Sequence, residues 1–192
     1  MSGKYHKDSD YPSVTQILSP YSGYDQVPPW NLEKAAERGR IVHAHNAAIL
    51  LGKWAPSPPA EYAGYVESAR LWIEMFVDDV ILVEQELEDH DLCYCGHPDL
   101  CIRSNKLGGI ILPDWKTPAA LHRKPWGAQM AGYENLLKED PKYKIPKVDR
   151  IGALRLSPEG KIARFDEFTE NRIAYWAAFY GALIAHNFFN QP

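Results

Sequence analysis

Residues 97–116 read HPDLCIRSNKLGGIILPDWK, and this stretch decides the fold. Two apolar runs flank a short polar break at Asn105, Lys106 and Leu107, the pattern of two strands joined by a turn. A connection centred between Lys106 and Leu107 sets Asp99 across from Asp114. Like charges opposed on neighbouring strands destabilise a sheet, so something positive is expected between them. Lys116 follows Asp114 by two residues and therefore shares its face of the strand. An exposed Asp114–Lys116 ion pair with Asp99 as a turn residue is the plainer alternative. Against it, the apolar run 109–112 leads straight into Asp114, which places the acid at the edge of a core. Pro98 is a position where a bulge would shift this register.

Outward from this hairpin, VILVEQELE at 80–88 is β-branched and partly alternating, and with 91–103 and 108–116 it predicts three successive strands. Upstream, 31–51 carries helical periodicity with Asn31 placed to cap it, and after a Pro-rich break 61–77 repeats the pattern through Tyr65, Ala69, Trp72 and Phe76. Residues 1–29 read as an arm, with one brief helix at 14–18 that Ser13 caps. Downstream, 124–137 is helical, 150–156 and 161–168 form a hairpin turning at 158–160, and 170–189 closes the chain as an amphipathic helix. The order ααβββαββα predicts one α/β or α+β domain over 30–192, with a central mixed sheet flanked by helices.

The 192 residues are 45% hydrophobic and 24% charged, the profile of a single globular domain. Aromatic residues make up 12%, and Trp72, Phe76, Tyr175, Trp176, Phe179 and Tyr180 recur at helical spacing, which predicts core packing. The polar N-terminus and the lack of a long apolar run predict a soluble protein of the cytoplasm, with no membrane partner. A net charge of −4 argues against coating nucleic acid through a broad basic surface, so any such contact is expected to be local. Cys93, Cys95 and Cys101 lack a fourth partner and C-x-x-C spacing, so reduced, small buried side chains are expected in preference to a zinc site with His97 or His122.

Two strand-borne carboxylates at the edge of a sheet suit Mg²⁺ or Mn²⁺, which keep several waters and stay open to a phosphate. Glu84, in the preceding strand, is a further candidate ligand. Thr117, His122, Arg123, Lys124 and Trp126 open the next helix, where backbone N–H groups favour phosphate. Arg38 and Arg40, flanking a turn at Gly39, join them as DNA-contact candidates, with Trp126 available to stack on an unpaired base.

With these residues assembled, the chain resembles the PD-(D/E)xK nuclease superfamily, and within it the RecB-like exonucleases of phages and the mitochondrial genome maintenance exonuclease. The likeness rests on four ordered motifs: Gly39 to His43 (Gly-x-x-x-His), Gly96 to Asp99 (Gly-x-x-Asp), Asp114 to Lys116 (Asp-x-Lys) and Gln129 to Tyr133 (Gln-x-x-x-Tyr). The segment PSVTQIL at 12–18 is similar too. The resemblance implies a restriction-endonuclease-like core in which His43, Asp99, Asp114 and the Trp115 carbonyl ligate one or two Mg²⁺ or Mn²⁺ ions. It further implies Lys116 as the catalytic lysine, with Gln129 and Tyr133 lining the site. The activity implied is metal-dependent hydrolysis of DNA from single-stranded or free ends, leaving 5′-phosphates, in processing, recombination or repair. A viral or bacterial source, recombination or replication partners and an oligomer fit that reading. The rival readings are a catalytically inactive nucleic-acid-binding module of the same fold and a non-nucleolytic partner of a helicase.

Overall fold

The computed structural model describes residues 9–23, 27–117, 121–140, 142–143, 145 and 147–190; the parts of the expected arm at 1–8 and 24–26 lie outside them. Among the described residues, α1 (Val14–Leu18) is capped by Ser13, whose hydroxyl accepts from the Gln16 N–H while the Gln16 side chain bonds back to the Ser13 N–H. Two longer helices follow, α2 (Pro29–Leu50) and α3 (Ala63–Phe76). The first starts before Asn31, because Pro29 lacks the N–H that a first helical turn leaves unsatisfied anyway. Gly39 therefore lies inside α2 and not at a turn.

The three expected strands are five. VILVEQELE divides into β1 (Asp79–Val83) and β2 (Leu87–Asp89), because Glu84 takes a positive φ of 47° and breaks the ladder. The next run divides around Pro98 into β3 (Tyr94–Gly96) and β4 (Leu100–Ser104). Then come β5 (Gly109–Lys116), α4 (Arg123–Glu139), β6 (Arg150–Arg155), β7 (Arg164–Glu167) and α5 (Arg172–Asn190). The main sheet has the order β1-β4-β5-β6-β7, with β5 and β6 parallel and the other pairs antiparallel. The helix α4 supplies the crossover that a parallel pair requires. β2 and β3 form a small separate sheet, which the N-terminal segment joins through a bridge from Ser13 to Cys95.

The pairing of β4 with β5, Ile102 with Ile111 and Ser104 with Gly109, has the register expected from the sequence over these residues. Side chains alternate between two cores. Cys101, Leu112 and Ala153 pack with Met130, Leu136 and Phe179 of α4 and α5, whereas Leu100, Ile111, Trp115 and Leu154 pack with Val42 and Trp72 of α2 and α3. A strand buried on both faces explains why 109–112 is uninterrupted apolar sequence. The fold is thus one α+β domain, a mixed sheet with helices on both faces. Tyr180 departs from the expected core stripe: it is 40% exposed and stacks on Trp176. Among the described residues no helix is long and apolar enough to cross a membrane.

Candidate functional site

Alternation along β5 puts Asp114 and Lys116 on the same face as Leu112, toward α4, while Trp115 turns its ring into the opposite core against Trp72. Asp99, one residue ahead of β4, lies at the same end of the sheet, and its Oδ2 accepts the Trp115 N–H at 2.7 Å. The other oxygen, Oδ1, is 3.0 Å from Nδ1 of His43, which α2 presents. Glu84 completes the group. Its N–H donates to the Asp99 carbonyl at 3.0 Å, and its left-handed backbone brings Oε1 within 3.9 Å of the same His43 nitrogen. A ladder residue at this position would point to one face of the sheet only; the irregular backbone re-aims the acid.

One ligand atom from each of His43, Glu84 and Asp99 lies within 4.8 Å of the others. Ligands around a single Mg²⁺ at about 2.1 Å sit roughly 3–4 Å apart, so the set fits a hard cation after a small contraction. Asp114 stands beside this set, held from the other side. The Lys116 ammonium is 2.5 Å from Asp114 Oδ2 and donates to the Gln129 carbonyl oxygen at 2.9 Å, while the Gln129 amide donates to Asp114 Oδ1 at 3.4 Å and to the Tyr133 hydroxyl at 3.2 Å. Asp114 Oδ2 is buried, with the Lys116 ammonium as its partner. The structure thus joins His43, Glu84 and Asp99 directly, and links Asp114, Lys116, Gln129 and Tyr133 in a second network alongside. Trp115 enters through its N–H.

The charges respond to one another. Burial works to lower the His43 pKa, but Asp99, Asp114 and Glu84 outweigh it and raise the imidazole to about 9. Burial, with the charge of Asp99, raises Glu84 to about 8. Asp99 resists burial through His43, Lys116 and the Trp115 N–H and stays below the usual carboxylate range. Asp114 is pushed up to about 6 by burial and by Asp99. Three acids around one histidine is an arrangement that a divalent cation would relieve.

The group opens on a cleft of about 530 Å³ whose walls include Gly39, Arg40, His43, Glu84, His97 and Tyr133. Gly96 also lines it, and there a Cβ would meet the Tyr133 ring at 2.7 Å, which accounts for the glycine three residues before Asp99. At Gly39 a Cβ would meet nothing within 4 Å, so that glycine leaves the cleft wall open.

Of the DNA-contact candidates, Arg40 is exposed in the cleft. Arg38 donates to the Thr117 hydroxyl at 3.1 Å and packs on Tyr65, which ties α2 to the end of β5. Arg123 instead donates to the Glu167 carbonyl and lies over Phe168, away from the acids. Lys124 is exposed at the start of α4. Trp126 is 7% exposed, with Lys116 over its ring, so it forms part of a wall. His45, two residues beyond His43 on α2, bonds the Ile41 and Pro56 carbonyls. Cys95 and Cys101 are buried free thiols, but Cys93 is exposed, on a residue with φ 54°.

Sequence reasoning missed Ser13, Thr15 and His97 as cleft residues. The signal available was the PSVTQIL segment, whose capping box fixes α1 against α4 and β3. No protein-family model matches the chain, and no curated protein matches it.

Proposed function

We propose that this chain is a metal-dependent DNA nuclease of the RecB-like branch of the PD-(D/E)xK superfamily, acting as an exonuclease in DNA processing, recombination or repair. The observation that carries the reading is the convergence of His43, Glu84 and Asp99 within 4.8 Å, on an open cleft and beside the Asp114–Lys116 pair. His43, Glu84, Asp99 and Asp114 are the residues to hold one or two Mg²⁺ or Mn²⁺ ions. A divalent cation supplies neutralisation of a phosphate and activation of water.

The chain's own groups do the rest. Asp99, kept ionised by His43 and the Trp115 N–H, is the permanent anion of the set. Lys116, oriented by Asp114 and Gln129, directs an ammonium group at the phosphate or at the attacking water. Tyr133, whose pKa burial raises well above its ordinary value, stays a neutral hydroxyl. Arg40 in the cleft offers the local positive charge that an overall charge of −4 demands.

The test uses end-labelled single- and double-stranded DNA incubated with Mg²⁺, Mn²⁺ or EDTA. Cleavage is expected with either metal, none with EDTA, and a loss of about 100-fold or more in Asp114→Asn. Binding without cleavage by the native chain under all three conditions would sink the hydrolytic reading in favour of a binding module.

A further inference from the structure

A second, smaller cavity of about 170 Å³ shares Thr15 with the large cleft. Leu18, Pro125 and Trp126 form its apolar wall, and Thr15, Ser19, Ser22 and Gln129 are among the polar groups that complete the lining. Its charged lining is the Lys116 ammonium, with the His122 ring beside it, and no carboxylate faces it among the described residues. The large cleft is mixed in charge, with Glu84, Arg40 and His43 in its wall. Lys116 stands on the boundary, because the ammonium that contacts Asp114 and Gln129 also lines the smaller cavity and lies 5.6 Å from the centre of the Trp126 ring.

We propose that this pocket takes the nucleoside monophosphate at the released end of a single strand, its base against Leu18, Pro125 and Trp126 and its phosphate toward Lys116. The proposal rests on the hydrolytic reading above, which puts a phosphate at Lys116. Three features select the ligand. An apolar slot this size admits one flat ring and excludes a base pair. The His122 and Trp126 rings, 5.4 Å apart and inclined at 59°, give it an aromatic corner. The hydroxyls of Thr15 and Ser19 suit a sugar's polar edge, and the Lys116 ammonium suits an anion.

The full chain is titrated by calorimetry in EDTA with dAMP and, separately, with inorganic phosphate. Two variants accompany it, Ser19→Phe and Thr15→Tyr, each filling the pocket from an exposed position. Binding of dAMP is expected, with inorganic phosphate weaker and each folded variant weakened for dAMP by about tenfold. Failure of dAMP to bind, equal affinity for phosphate, or full affinity in both folded variants overturns the pocket. The two readings fail separately. Metal-dependent cleavage by a chain whose dAMP binding ignores both variants removes the pocket and leaves the hydrolysis. Variant-sensitive dAMP binding by a chain that cleaves nothing supports the pocket and removes the hydrolysis.

Discussion

Asp99 and Asp114 sit on neighbouring stretches of one sheet, 6% and 3% exposed, and their carboxyl groups shift in opposite directions. Burial is the largest influence on both and raises both. What differs is the backing. Asp99 has a donor at each oxygen, the His43 imidazole at 3.0 Å and the Trp115 N–H at 2.7 Å. Asp114 has the Lys116 ammonium on one oxygen and only a long bond from Gln129 on the other, and it bears the charge of Asp99 as well. Fixed donors, and not depth, decide which buried carboxylate stays an anion. The chain thereby keeps one acid permanently charged for a cation and leaves the other dependent on its lysine.

The largest effect should come from breaking each side in turn. Asp99→Asn keeps the volume and removes the anion that His43 and Glu84 share. Loss of an outer-shell partner costs about 10- to 100-fold in metal affinity, so loss of this carboxylate is expected to exceed about 100-fold in Mn²⁺ affinity by calorimetry. Lys116→Met removes the charge backing Asp114 and should cut the cleavage rate by about 100- to 1000-fold while changing Mn²⁺ affinity less than about tenfold. Equal losses of metal affinity in the two variants would erase the distinction between the acids.

Proton linkage sharpens the same contrast. His43 at about 9, Glu84 at about 8 and Asp114 at about 6 all lie above their unfolded values of 6.5, 4.5 and 3.8. Each therefore stabilises the fold below its unfolded pKa, and that contribution is lost as pH rises through the folded one. Asp99, shifted down, contributes stability that is present above its unfolded value of 3.8 and lost only as pH falls through the folded one. In EDTA the melting temperature is thus expected to fall between pH 5 and 9; a net loss of about 2 kcal/mol corresponds to roughly 4–8 °C in a chain of this size. Mn²⁺ at about 100 times its dissociation constant adds about 2.7 kcal/mol and should reverse the fall, because the ion replaces the proton. Scanning fluorimetry with and without metal reads both slopes. A flat profile in EDTA would show that the acids do not converge on His43.

How much of this was legible beforehand follows from the range of each signal. The β4–β5 register is local, set by a short turn, and the strands keep it from Ile102 to Ser104, while Asp99 stands one residue ahead of β4 and meets the Trp115 N–H. Lys116 follows from period-two alternation, and Gln129 and Tyr133 from one turn of helix. Glu84 was named as a strand residue, but its role depends on a backbone reversal that β-branched sequence does not announce. The direction of Arg123 was not legible, because helical proximity to the site says nothing of where a side chain turns, and this one turns to Glu167 and Phe168. Thr15 and Ser13 were out of reach for another reason. Their place depends on pairing with Cys95 more than eighty residues on, a contact that loop entropy leaves unmarked in the local pattern.

Two glycines from the expected motifs give the smallest and cleanest separation. Gly96→Ala puts a methyl 2.7 Å from the Tyr133 ring and 2.9 Å from Leu136, so it is expected to cost about 1–3 kcal/mol through overpacking. Gly39→Ala meets nothing within 4 Å and replaces a glycine inside α2, so it should add about 0.5–1 kcal/mol. Urea midpoints at constant slope measure both. Activity should fall in both, but for different reasons. In Gly96→Ala the displaced Tyr133 loosens the Gln129 hydroxyl contact that steadies Lys116. In Gly39→Ala the protein should be more stable, yet its cleft wall has grown by a methyl on the path proposed for the phosphate backbone. A Gly39→Ala protein that is both more stable and fully active would mean that the strand does not pass that wall, and the cleft would lose its claim to be the substrate's path.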